Sequence, residues 1–352
     1  SLLSKPMAAT LPAVLLLFDW FVKGRLSWRD IVNKIPYCVP AAGAMAQGLF
    51  SVKQAGIEKA ISGLPVHLNI LVSFYGLLFY LLKFLWPTGL ACLYPYPDFA
   101  AGIPAAMIAA PFAAALWLGL VVFSLRRTKV LFFGTVFYAL TVFPVLQWVQ
   151  SGHCMVADRY SYIPALGLVF IVATGFDRLF ARASGAPRRM LVLAAAVAVL
   201  VFSAATYARC WVWRDSLTLW SDAIAKKPFL HIAYAQRGLA YQSIGRFGRA
   251  EEDFSRAINL APLQPKLYLN RSSAYAGGGR FDKALEDLDK AQALFGLEAI
   301  IANEKGNVYM MAGDVDAAVA QYRRALELEP EDAGARKNLN LALGQRRQRG
   351  GK

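Results

Sequence analysis

Apolar and polar positions divide this chain into two regimes. Up to about Ala208, long apolar runs alternate with short basic or Pro/Gly-rich connections. Beyond that point charged residues recur every few positions and the long runs stop. A helix needs roughly 20 apolar residues to cross a bilayer core. The runs at roughly 6–22, 36–52, 65–86, 104–124, 130–149, 162–180 and 190–208 are therefore read as membrane helices. Residues 1–208 are expected to form a transmembrane domain of about six spans plus one re-entrant or interfacial helix.

Three connections are basic: Lys23 to Arg25 with Arg29 and Lys34; Arg126, Arg127 and Lys129; and Arg178, Arg182, Arg188 and Arg189. The positive-inside rule puts all three in the cytoplasm. Runs 130–149 and 162–180 then leave and return, so the loop 150–161 faces outward. Run 190–208 leaves again and places everything after it outside. Between the first two basic connections lie three apolar runs, and an even number of crossings is required. One of them must be re-entrant or interfacial, a state tolerated where protein covers the backbone. The run 65–86, which carries His67, Asn69 and Lys83, is the one chosen; the weakly hydrophobic 36–52 is the alternative.

The polar half repeats itself. From His231 small and aromatic residues recur at a 34-residue interval: Tyr241, Tyr275 and Tyr309; Gly245, Gly279 and Gly313; Ala250, Ala284 and Ala318; Ala257, Ala291 and Ala325. Pro262 and Pro330 close the first and third units, while the second has Gly296 at that offset. The pattern resembles the tetratricopeptide (TPR) repeat, a helical pair with small residues where its helices touch. Units are expected at 231–264, 265–298 and 299–332. A half repeat at 209–230 precedes them, with Trp220, Ala223 and Pro228 at second-helix offsets. Its first helix would fall inside the last membrane run, so the array is read as built directly onto that run. Residues 333–352 are read as a capping helix, with Leu339 and Leu343 on one face, and a basic tail. The expected fold is all-α: a polytopic transmembrane helix bundle followed by a TPR α-solenoid.

TPR arrays hold peptides in a groove lined by their first helices. Asn303 and Asn307, four apart on one such helix, are candidates for gripping an extended peptide; solvated helix polar residues are the plainer reading. Arrays that clamp a C-terminal carboxylate use Lys and Asn where this chain has Ala235 and Leu239, so that activity is not expected.

Composition narrows the partners. The chain is 57% hydrophobic with a formal net charge of +15. Many cations lie between apolar runs, which points to anionic membrane lipid rather than nucleic acid. The four cysteines and three histidines show no metal-ligand spacing, and neither a metal nor a cofactor is expected. The chain begins at Ser1 with no basic stretch before its apolar run, so no signal peptide is read. It is expected to be the C-terminal piece of a longer protein.

Charges at membrane depth are costly and so are candidates for function. Asp19 lies close to Lys23, as an interfacial pair would, and Lys83 precedes a Trp86–Pro87 break. Lys5, before Pro6 at the outer mouth of the first run, could meet a lipid phosphate. The outward loop 151–160 contains His153, Asp158, Arg159 and Tyr160, with Tyr162 just beyond. Arginine presents a planar fork suited to phosphate oxygens; an interfacial anchor of the same residues is the structural alternative. The loop 88–103, with Tyr94-Pro-Tyr-Pro-Asp98, is expected on the same outer surface.

The string Ala157-Asp-Arg-Tyr-Ser-Tyr-Ile-Pro-Ala-Leu-Gly167 resembles a segment of the multi-spanning glycosyltransferases that end in TPR repeats, the transmembrane-and-TPR O-mannosyltransferases and bacterial members among them. Leu2-Leu-Ser-Lys-Pro6, Trp86-Pro-Thr-Gly-Leu-Ala-Cys-Leu-Tyr-Pro95 and Trp213-Arg-Asp-Ser-Leu-Thr-Leu-Trp220 agree and stand in that family's order. The resemblance implies a GT-C fold. It implies transfer of a sugar from a polyprenyl phosphate carrier to a protein or glycan acceptor on the outer face. It makes Lys5 and Arg159 phosphate-facing, with Asp158 orienting Arg159 and His153 nearby. The family's catalytic carboxylate lies in the first outer loop, upstream of this chain's start, so no catalytic residue is assigned here. The inner (cytoplasmic) membrane is the expected location, with the repeats on its external side. A non-enzymatic membrane-anchored TPR scaffold is the alternative function. Cys92, Cys154 and Cys210, all on the outward side, leave a disulfide possible without fixing a pair.

Overall fold

The computed structural model describes residues 9–43, 64–146, 148 and 154–350. It divides into two compact units, Ser1–Ser203 and Ala204–Lys352. The described helices bear out the all-α reading, with TPR repeats and several helices apolar enough to span a membrane.

The first unit opens with α1, Leu11–Lys23, whose second residue is Pro12. Proline suits a first turn because its missing N–H would have no helical partner there. The helix ends where Gly24 takes φ 78 and donates its N–H to the Trp20 carbonyl at 2.9 Å. The short α2, Trp28–Val32, begins at a reciprocal Ser27–Asp30 cap, and residues 35–43 are again helical. Then follow α3 (Val66–Leu85), α4 (Ala105–Ser124), α5 (Val130–Val142), α6 (Tyr162–Arg182) and α7 (Gly185–Val212). By length and composition α3, α4, α6 and α7 could each cross a membrane. The apolar run from 130 stops short of 149 as a helix. It tightens into a 3-10 turn at Phe143–Val145, around Pro144, whose ring cannot continue an α-helix.

Close helix contact fixes part of this bundle. A Cβ on Gly167 would come 2.4 Å from the Gly134 carbonyl oxygen, so α5 and α6 cross with glycine against glycine. Further along, Arg178 donates to Thr128 Oγ1 at 3.3 Å. Helix α3 runs antiparallel to α5: Gly76 lies beside Leu146, whereas Leu81 and Leu85 share a crevice with Leu131 and Thr135. The same crevice, of about 290 Å³, is lined by Trp117 and Val121 of α4. The end of α3 is therefore level with the later half of α4. The start of α4 lies about 24 Å of helix away from Val121. The connection 86–104 has to return along the bundle, and its middle is buried: Ala91 and Tyr94 join Tyr80, Tyr138 and Val156 in one core. Within it β1 (Tyr94–Pro95) pairs antiparallel with β2 (Cys154–Val156). These two short strands are the exception to an otherwise helical unit.

The second unit is a run of antiparallel helix pairs. After α8 (Ser216–Lys226) come α9 (His231–Ser243) with α10 (Phe247–Leu260), α11 (Pro265–Gly277) with α12 (Phe281–Phe295), and α13 (Glu298–Ala312) with α14 (Val315–Leu328). Ala250, Ala284 and Ala318 are wholly buried, as are Ala257, Ala291 and Ala325. Between the helices of each pair Gly245, Gly279 and Gly313 take φ of 74, 76 and 84, a region that costs other residues a Cβ clash. At Gly306 an added Cβ would lie 2.4 Å from the Tyr322 ring. The second pair closes at Gly296 and Leu297, with φ of 76 and 44, where a proline would have fixed a negative φ. Helix α15 (Ala333–Gly350) covers the last pair: Leu339 and Leu343 pack on Val315, Val319 and Tyr322.

Candidate functional site

The chain of the first unit folds into a 3-10 turn, Asp158–Tyr160, directly before α6. Hydrogen bonds hold it, beginning with the Tyr160 N–H to the Ala157 carbonyl at 3.0 Å. Ser161 donates to the Asp158 carbonyl through its N–H at 3.1 Å and its hydroxyl at 2.7 Å. The Ala157 N–H donates to the Tyr80 hydroxyl of α3 at 3.0 Å. The Tyr94 hydroxyl, 3.1 Å from Asp158 Oδ1, donates to that carboxylate, shares its hydrogen with the Gly89 carbonyl at 3.3 Å, and accepts the Ala91 N–H at 2.9 Å. The loop 88–103 thus meets the loop that carries Asp158, through side chains as well as through the strand pair.

Arg159 points elsewhere. Its guanidinium is exposed, stacks 5.0 Å from the Tyr160 ring centre and donates to the Tyr160 hydroxyl at 3.4 Å. Among the described residues it forms no ion pair, and the neighbouring Asp158 carboxylate is turned to Tyr94 instead. Asp158 is tied to Tyr94, and it meets Arg159 only through the backbone of the shared 3-10 turn among the contacts described. The arrangement offers a fixed, solvent-facing planar cation, which is the chemistry a phosphate oxygen requires. Burial pushes the thiol of nearby Cys154 up, against the opposing pull of Arg159. Cys38, Cys154 and Cys210 carry free thiols. Lys5 and His153 lie outside the described residues.

Other charges singled out in the sequence sit in local pairs. Asp19 bonds Lys34 at 2.8 Å and Lys23 at 3.4 Å, and Lys23 also reaches Asp30. Lys83 donates to the Thr88 carbonyl and lies 5.5 Å from the Phe79 ring centre.

In the array Asn303 and Asn307 are half-buried and engaged by the capping helix. Asn338 donates to Asn303 Oδ1 at 3.1 Å and to Asn307 Oδ1 at 3.2 Å. Asn307 Oδ1 also accepts from the Tyr322 hydroxyl at 2.8 Å, a phenol that burial pushes up to about 12 and so keeps protonated as a donor. The carbonyl oxygens of both amides serve the fold.

Sequence reading passed over a second periodic feature. Arg237 forks onto Asp253 at 2.8 and 2.7 Å and reaches Ser221 at 3.3 Å. One repeat later Arg271 forks onto Asp287 at 2.7 Å twice and reaches Ser255 at 3.0 Å. All three residue types recur at the repeat interval, which was the available signal. In the third unit Lys305 replaces the arginine and pairs instead with Asp289 at 2.6 Å.

Tetratricopeptide repeat family models match residues 235–299 ("Tetratricopeptide repeat") and 306–345 ("TPR repeat"). Over the TPR region the chain is similar to two fruit-fly (Drosophila melanogaster) proteins. It is 28% identical to Protein O-mannosyl-transferase Tmtc2 over 137 residues, 39% of this chain and 14% of the relative. It is 29% identical to Protein O-mannosyl-transferase Tmtc1 over 120 residues, 34% of this chain and again 14% of the relative. The chain thus spans about one seventh of the length of these relatives. A solved structure, the first TPR of Spaghetti (RPAP3) bound to the HSP90 peptide SRMEEVD, is 25% identical with a TM-score of 0.29. It corresponds to 33% of this chain and 91% of that one.

Proposed function

We propose that this chain is the carrier-side part of a membrane glycosyltransferase, moving a sugar from a polyprenyl phosphate to a protein or glycan acceptor on the outer membrane face. The observation that carries the reading is the exposed Arg159 guanidinium on a turn pinned by Tyr80 and Tyr94. Similarity to O-mannosyl-transferases supports it from outside the site. When the bond between the anomeric carbon and the phosphate oxygen breaks, negative charge grows on that phosphate. A cation fixed in advance stabilises it without reorganising. Arg159 takes this role with Lys5, while Asp158 holds the turn and His153 lies in the same loop. The acceptor's hydroxyl proton goes to a carboxylate base, as the resemblance implies, supplied from the intact protein's first outer loop. The repeats hold the acceptor or a partner protein in their groove, on the same face of an inner membrane.

The test is sugar transfer by the intact protein from a polyprenyl-phosphate-linked sugar. Arg159→Ala is expected to lower the rate by about 100-fold, the scale of losing one charge-stabilising donor. Lys5→Ala is expected to lower it in the same direction. Unchanged transfer by both variants overturns the reading. The family matches fall wholly within the repeats, which favours the second reading of a membrane-anchored scaffold. Under that reading the protein binds its partner and shows no transfer with or without Arg159.

A further inference from the structure

At the opposite end of α6 from Arg159, three basic connections converge. Helices α1, α4 and α6 all end there. Lys129 is the centre: its ammonium lies 5.6 Å from the Trp20 ring centre, and it would be only 3.1 Å from a Cβ placed on Gly24. Arg178, near the end of α6, bonds Thr128 beside it. The connections after α1, after α4 and at the end of α6 therefore share one face.

Among the described residues, two of the three acids of this face are already used, and the third, Asp177 beside Arg178, is exposed. Asp19 and Asp30 are taken by Lys23 and Lys34. Arg25, Arg29, Arg126, Arg127, Lys129 and Arg178 are exposed, and among the described residues none of them forms an ion pair. Six exposed cations against the one exposed carboxylate of Asp177 leave a net positive field. Next to it α2 presents an apolar surface: Trp28 is 75% exposed, with Ile31 and Val32 beside it. Cations interleaved with an exposed tryptophan and flanked by spanning helices match the boundary of a bilayer, where anionic headgroups meet the first acyl carbons. A soluble anion would use the cations but leave the apolar face without a role.

We infer that this face binds anionic phospholipid headgroups, with Lys129, Arg126 and Arg127 contacting the phosphate and α2 lying in the interface. Gly24 keeps the space that Lys129 occupies. The test is native mass spectrometry of the full chain purified in detergent and supplied with equal amounts of phosphatidylglycerol and phosphatidylcholine. The wild type is expected to retain the anionic lipid roughly tenfold over the zwitterionic one, and R126Q/R127Q/K129Q to lose most of that preference. R256Q/R323Q/R324Q, which removes the same charge from exposed sites in the repeats, is expected to keep it. Should the triple variant fail to fold, Lys129→Gln is expected to weaken the preference and Lys129→Arg to restore it. Equal retention of both lipids by the wild type, or an undiminished preference after removal of the Arg126–Lys129 charges, overturns the inference.

Discussion

Arg271 shows how the array holds polar groups in its interior. Its guanidinium donates twice to an Asp287 carboxylate that is 3% exposed, and it lies 5.9 Å from the Tyr275 ring centre. The planar fork matches both carboxylate oxygens at once, which the ammonium of lysine cannot do. Truncating one partner leaves the other charge buried and unmatched, at a cost of about 3–5 kcal/mol. Arg271→Ala is therefore expected to lower array stability by that amount in denaturant unfolding of the chain, against under ~0.5 kcal/mol for exposed Arg256→Ala. Equal effects of the two would remove the ladder from the account. The Arg, Asp and Ser recurrence was legible at the same interval as the glycines and alanines; reading the repeat by its small and aromatic positions passed over it. Asn303 and Asn307 were a different case. Their partner Asn338 lies more than 30 residues on in the capping helix, and no periodic pattern announces it. Nor does any spacing join Tyr94 to Asp158, 64 residues apart.

Among the elements, α3 and the segment after it carry the main consequence. The apolar run was visible as a run, but its direction was not. Crossing parity required one of two candidate runs not to span, and it could not see the return path. The segment 86–104, buried at Ala91, Cys92 and Tyr94, holds only the two-residue β1 and a 3-10 turn at Phe99–Ala101, too short to show a period, and its middle packs against Tyr80, Tyr138 and Val156. Irregular backbone is tolerated at membrane depth when protein covers it in this way. With α3 and α4 level at their later ends, we propose that the chain enters with α3 and leaves with 86–104 by the same outer face. The run 36–52 is then a full crossing; its later part lies outside the described residues. Single cysteines placed at Val66 and at Gly102 in a cysteine-free chain are expected to react with an impermeant thiol reagent from the same side. Labelling from opposite sides would make α3 a full span and shift the second crossing elsewhere. The TPR pairs, by contrast, were legible as repeat units, since the turn inside each pair carries a glycine at positive φ.

For the whole molecule the account depends on sidedness. Under the positive-inside rule we read α5, α6 and α7 as leaving, returning and leaving again, so the Asp158–Tyr160 turn and the repeats are proposed to face the same compartment. The most direct measurement is protease access to the repeats in sealed spheroplasts, compared with spheroplasts opened by detergent. The account predicts that the repeats are cleaved in the sealed preparation, with opening adding little. Protection until the membrane is opened would place them in the cytoplasm and contradict the transferase topology.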